Sequence, residues 1–190
     1  MATASRKTAT RKAPAKATRA AASRDDAIAL LRADHKRVSA LFEQYEGTRS
    51  AAKKKALVAT ICEELAIHAQ IEEEIFYPAV KAALKDKELV PEAQVEHATL
   101  KDLIAQVKDR EPDGEMFDAR IQVMSEYVKH HVKEEQNEMF VRARKTRLDM
   151  VALGERIAAR KEELKADPSQ REQPTLTAQA PQADAVEAAT

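Results

Sequence analysis

Tryptophan is absent from this 190-residue chain, glycine occurs three times, cysteine once, and aromatic residues make up only 4%. So little glycine and so few aromatics argue against a β-sandwich or barrel, whose turns and strands need both. The lone Cys62 excludes a disulfide scaffold. No apolar run approaches the 18 or so residues needed to span a bilayer, so no membrane association is expected. The start, Met1-Ala2-Thr3-Ala4-Ser5-Arg6-Lys7, lacks an apolar stretch of the secretory kind, and a cytoplasmic location is expected. What the chain has instead is 34% charged residues and a wealth of Ala, Glu, Lys, Leu and Arg, the composition of long helices.

A formal net charge of zero conceals an uneven distribution. Residues 1–24 carry seven Lys or Arg, no Asp or Glu, and no Val, Ile, Leu, Phe or Tyr. Such a segment cannot bury enough apolar surface to offset its chain entropy, and we read it as a disordered basic arm. Residues 167–190, with Pro168, Pro174 and Pro181 among Gln, Ala and Thr, read as a second disordered tail. The body between holds 24 basic and 28 acidic residues, a net −4.

Gly47, the Lys85-Asp86-Lys87 run with Pro91, and Glu111-Pro112-Asp113-Gly114 punctuate the body. They separate helical segments at 25–46, 51–84, 89–110 and 115–146, and a shorter one follows at 149–165. Short connections between long helices imply antiparallel neighbours. The expected fold is all-α: an up-down-up-down antiparallel four-helix bundle over 25–146, a short fifth helix within 147–166, and the two tails. Pro78 should kink the second helix.

The apolar stripes are interrupted by polar residues in register. The first segment reads Ile28, Leu31, His35, Val38, Phe42, Tyr45, with His35 filling a seam position. The second reads Leu57, Ile61, Leu65, His68, Glu72, Ile75, Ala79. His97 opens the stripe of Leu100, Ile104 and Val107. The fourth reads Phe117, Ile121, Met124, Val128, His131, Glu135, Met139, repeating the four-residue spacing of His68 and Glu72. Counted from the turns, the four His and two Glu fall within a turn or two of one level, at about 1.5 Å per residue.

A single seam histidine is usually a hydrogen-bonded core residue. Six inward polar groups are another matter, because each unpaired buried carboxylate or imidazole costs several kcal/mol or titrates to neutrality. A bundle of this size has only about 5–15 kcal/mol of net stability to lose. A metal centre compensates, supplying charge for the carboxylates and an acceptor for the imidazoles; mutual His–Glu pairing is the bland rival. Nitrogen and oxygen donors without thiolate favour iron, with manganese or zinc less decisive, and two carboxylates on opposite helices suit a pair of ions.

At this point the sequence resembles the hemerythrin family, specifically the hemerythrin-like HHE cation-binding domain. The stretches that carry the likeness are Ala33-Asp34-His35-Lys36, His68-Ala69-Gln70-Ile71-Glu72-Glu73-Glu74-Ile75-Phe76-Tyr77-Pro78, Glu96-His97 and His130-His131-Val132-Lys133-Glu134-Glu135. The resemblance covers residues 25–146 and implies a non-haem di-iron bundle that binds dioxygen, peroxide or nitric oxide. It implies His35, His68, His97 and His131 as ligands, Glu72 as a bridging carboxylate, and Glu135 paired with His131 on the fourth helix. Oxygen-carrying members have a second histidine four residues after the third-helix one, and here that residue is Lys101. Binding, sensing or detoxification is therefore expected in place of bulk oxygen transport. His130, Glu73 and Glu134 are further candidates one residue out of register. Cys62, Tyr45 and Tyr127 read as packing residues. Two other functions stand beside this one: a di-iron enzyme with peroxidase or oxidase turnover, and a nucleoid-associated protein that binds nucleic acid through phosphate contacts from residues 1–24.

Overall fold

The computed structural model describes residues 26–85, 87–112 and 114–172. Helix α1 is Ala27–Glu46. Helix α2 covers 51–84: it is α-helical at Ala51–Ile71 and Tyr77–Leu84, with a π-helical turn at Glu72–Phe76 between. Helix α3 is Leu89–Val107. Helix α4 covers 115–143: Glu115–Glu134 and Phe140–Ala143 flank a second π-helical turn at Glu135–Met139. Helix α5, Met150–Ala166, leads into a single 3-10 turn at Pro168–Gln170. There is no strand among the described residues, and no helix there is long and apolar enough to cross a membrane. The arm at 1–24 lies outside the described residues.

Local chemistry sets the helix ends. Asp26 caps α1 by accepting from the Ala29 amide at 2.8 Å, and Ser50 and Asp149 do the same for α2 and α5. These side chains satisfy amides that have no partner within the helix. Lys85, at φ 52°, ends α2 in the left-handed region. Gly114, at φ 138°, opens α4 in a conformation that favours glycine.

Helix α1 packs on α2 and α4, and α3 packs on α2 and α4, closing the expected four-helix bundle. Its interior is two apolar clusters with a polar layer between. One cluster holds Val38, Phe42, Ile61, Leu65, Leu100, Ile104, Phe117 and Ile121. The other holds Ile28, Leu31, Ile67, Ile71, Phe76, Val80 and Phe140. Helix α5 is part of the second: Leu153, Ile157 and Leu164 are buried in it, over α1 and α2.

The second helix departs from its expected phase. The stripe pointed to Ile75 and Ala79; Ile75 is buried as expected, but Phe76, Tyr77 and Val80 are buried more completely, and Ala79 is only half-buried. The cause is the π-helical turn, in which the Tyr77 amide donates to Glu72 five residues back. One extra residue per turn advances every later side chain by about 100°. The break expected at Pro78 takes this form, with Pro78 in the first turn of the resumed α-helix. In α4 the Phe140 amide likewise reaches Glu135, and Phe140 and Ala143 join Met139 in the core.

Residues 167–172, expected to open the second tail, are tied to the bundle. Arg171 donates to the Leu164 carbonyl at 2.7 Å and pairs with Glu63 at 2.7 Å, and the Glu172 amide donates to Gln70 at 3.0 Å. Composition missed this because the tie is polar rather than apolar. Residues 173–190 lie outside the described residues.

Truncating α5 in the core tests whether it belongs to the cooperative unit. Ile157→Ala should cost about 2–5 kcal/mol in urea unfolding, the range for a buried isoleucine, whereas an independently fraying helix would show a loss below about 1 kcal/mol.

Candidate metal centre

The polar layer contains all six residues singled out on the seams. His35, His68, Glu72, His97, His131 and Glu135 come from four helices and are each at least nine-tenths buried. Their inner atoms converge. His35 Nε2 lies 3.0 Å from His68 Nε2 and 3.2 Å from Glu135 Oε2. His68 Nε2 lies 3.2 Å from Glu72 Oε2, and that oxygen is 3.5 Å from His97 Nε2. His97 Nε2 is in turn 3.3 Å from His131 Nε2. Two donor sets result: His35, His68, Glu72 and Glu135, and Glu72, His97 and His131, with Glu72 common to both.

Each of the four imidazoles is faced from outside by a side chain on a neighbouring helix, and three of them are hydrogen-bonded to it. Gln136 contacts His35 Nδ1 at 2.9 Å, Glu73 contacts His97 Nδ1 at 2.9 Å, and Glu96 contacts His131 Nδ1 at 2.6 Å. Asp34 Oδ2 faces His68 Nδ1 at 3.6 Å, just beyond hydrogen-bond reach, while its other oxygen is bound by Lys161 of α5. Outer contacts of this kind fix the ring orientation and leave Nε2 as the inward donor.

Burial decides the charges. It pushes Glu72 well above the usual carboxylate range, and the charge of Glu135 adds to the effect. Burial acts on Glu135 in the same sense but is outweighed by the imidazole of His35, whose Nε2 lies 3.2 Å away, and by those of His131 and His68, which together hold it at about 2. Burial depresses His68 to about 4, and it lowers His97 despite Glu73. For His131, Glu96 and Glu135 outweigh burial and raise it. Without a cation the two carboxyls are thus pushed in opposite directions, Glu72 toward its neutral form and Glu135 toward its ionised one.

The donor set fits a metal cation. Glu72 Oε1 and both Glu135 oxygens are buried without a hydrogen-bond partner, an expensive state for carboxylates unless a cation occupies the space between them. Nitrogen and oxygen donors without sulfur suit iron, manganese or zinc.

Several sequence expectations need revision here. Glu73 is turned to the outer side of His97, and His130 is 61% exposed beside Glu134, so none of these three joins the inner cluster. A one-residue offset carries a side chain about 100° around the helix, which removes it from the seam. Lys101 presents no donor to the centre: its ammonium is held by Glu73 at 2.8 Å and Glu172 at 2.6 Å. Burial lowers its pKa, but those two carboxylates raise it by more. Tyr77 was missed. Its hydroxyl donates to Glu72 at 3.3 Å and lies 3.2 Å from His97 Nε2, beside the three-residue donor set. Only the π-helical turn brings it there. Cys62 is buried, and burial pushes its thiol up to about 12, as suits a packing residue.

The family model of the hemerythrin HHE cation-binding domain matches residues 26–143. A crystal structure of a hemerythrin HHE cation-binding domain-containing protein from Mycobacterium kansasii superposes with a TM-score of 0.64 at 24% identity, covering 75% of this chain and 88% of that one. A curated protein from Nostoc sp., named DNA nickase, is 28% identical over 115 residues, which are 60% of this chain and 32% of that protein. The chain spans about a third of that relative's length.

Glu72→Gln separates a metal centre from a polar layer built for stability. In chelator-treated protein it should change unfolding stability by less than about 1 kcal/mol, since an amide of the same shape replaces a carboxyl that burial drives toward its neutral form. Zinc at about a hundred times its dissociation constant should stabilise the parent by about 2.7 kcal/mol and the variant by far less. A large loss in the chelated state, with no metal effect in either protein, would contradict the assignment.

Proposed function

The chain belongs to the hemerythrin HHE cation-binding domain family, and on that premise we propose that its centre holds two iron ions and serves to bind or sense dioxygen, peroxide or nitric oxide in the cytoplasm. The observation that carries this is the pair of overlapping donor sets that share Glu72. His35 and His68 with Glu135 would hold one ion, His97 and His131 the other, and Glu72 would bridge them. Bound iron would supply redox chemistry and an acceptor for a small ligand.

The protein's own residues shape that chemistry. The Tyr77 hydroxyl lies where the second set is one protein donor short, and it can donate a hydrogen bond to whatever completes that set. Val38, Leu65, Leu100 and Val128 wall a small apolar cavity against His35, His68, His97 and His131. Such an apolar wall keeps bulk water away and favours an uncharged ligand over a charged one.

Apoprotein reconstituted anaerobically with ferrous iron should take up about two irons per chain. Exposure to air should then produce ferric charge-transfer absorption, and His68→Ala should lose both. Uptake of one iron would reduce the centre to the four-residue set. No uptake, with melting indifferent to metal, would refute the reading.

A second reading concerns the basic arm. Its seven cations, and the distant relative named DNA nickase, support non-specific nucleic-acid binding by residues 1–24. If all seven meet phosphates, log affinity for duplex DNA should fall against log salt with a slope of about −6. Deleting 1–24 should abolish the binding and leave metal uptake intact. Binding retained after deletion would assign it to the bundle instead.

A further inference from the structure

The two halves of the bundle repeat each other around the centre, and the place where they fail to match is informative. Asp34-His35 on α1 corresponds to Glu96-His97 on α3, and His68 with Glu72 on α2 corresponds to His131 with Glu135 on α4. The residues immediately before the α2 pair are Ile67 and Ile71, both 0% exposed and packed in the cluster that includes α5. Their counterparts on α4 are His130 and Glu134, which no fifth helix covers. They face Glu96 instead: His130 Nε2 lies 3.2 Å from Glu134 Oε1 and 3.9 Å from Glu96 Oε1. These three offer converging nitrogen and oxygen donors open to solvent.

This group also touches the centre. The other oxygen of Glu96 holds His131 Nδ1 at 2.6 Å. Glu96 and Glu134 line a narrow cleft together with Glu92, His131 and Glu135. Glu135 is 2% exposed and its Oε1 has no hydrogen-bond partner. A buried, unpartnered carboxylate oxygen therefore lines a cleft whose rim is acidic, and His130 stands outside that rim against Glu134.

We propose that Glu96, His130 and Glu134 form an outer divalent-cation site that loads the centre through this cleft. The proposal rests on the reading of the centre as a metal site. A hydrated cation is drawn to the negative rim. His130 and the two carboxylates replace part of its water, and Glu135 draws it inward past Glu96. The opposite half offers no such path, because α5 seals it and Lys161 neutralises Asp34. His130 and Glu134 would thus act on the rate of filling, not on the final occupancy of the centre.

Cobalt(II) tests this on the full-length apoprotein, by equilibrium dialysis and by stopped-flow absorption. The parent should bind two ions tightly and a third more weakly. His130→Ala/Glu134→Gln should lose the third ion and fill the other two about tenfold more slowly to the same final level. Glu43→Gln, which removes an exposed charge from α1, should load at the parental rate. An unchanged loading rate in the double variant, or retention of the third ion, would overturn the outer site and leave the centre standing. Uptake in the parent confined to ions that the double variant loses would overturn the reading of the centre, and the loading role with it.

Discussion

Everything in this bundle is arranged around the cost of burying two carboxylates among four imidazoles. Glu72 and Glu135 are 0% and 2% exposed, and the side chains closest to them among the described residues are imidazoles rather than lysines or arginines. Replacing such a layer with well-packed aliphatics would be neutral or favourable for stability alone. The layer instead divides the apolar core into two clusters, and three of the four imidazoles are hydrogen-bonded from outside by another helix. Such an investment in orientation has a purpose only if the inward atoms must be presented to a common guest.

The π-helical turns are part of the same arrangement. Each begins at a centre carboxylate, Glu72 in α2 and Glu135 in α4. The slip in phase brings a residue five positions on toward the histidines of the neighbouring helix. In α4 that residue is Phe140, stacked on His35 with ring centres 5.9 Å apart. In α2 it is Tyr77, 5.3 Å from His97. The same backbone device thus gives one half an apolar wall and the other a hydroxyl. The half with the hydroxyl is the one with three protein donors rather than four, so the two positions are chemically unlike from the outset.

The bundle and the six inner residues were legible because they obey helical periodicity: a stripe that reads Leu31, His35, Val38 tells its own story. The contacts one residue away were harder to read. Asp34, Glu73, Glu96 and Gln136 each adjoin a centre residue, yet each serves a histidine on another helix. Periodicity says only that they leave the seam, and which partner they meet depends on helix packing. Tyr77 and Phe140 were hidden for a different reason, since hydrophobic pattern alone carries no sign of an i to i−5 hydrogen bond. The docking of residues 167–172 was missed because it rests on Arg171 and Glu172, and polar ties leave no apolar signature.

The surroundings of the centre also differ along the bundle axis. Toward the cluster of Val38, Leu65, Leu100 and Val128, the histidines face an apolar cavity. Toward the cluster of Leu89, Ala93 and Met139, the cleft is acidic and lined by Glu135. An uncharged diatomic favours the first environment, and a hydrated cation the second. Helix α5 enforces the division by closing the α1 and α2 face, where Lys161 covers Asp34. Cation supply and small-ligand access would therefore use opposite sides of one polar layer. A charged species held at the acidic rim would not obstruct the apolar side of the layer, where a small ligand would bind.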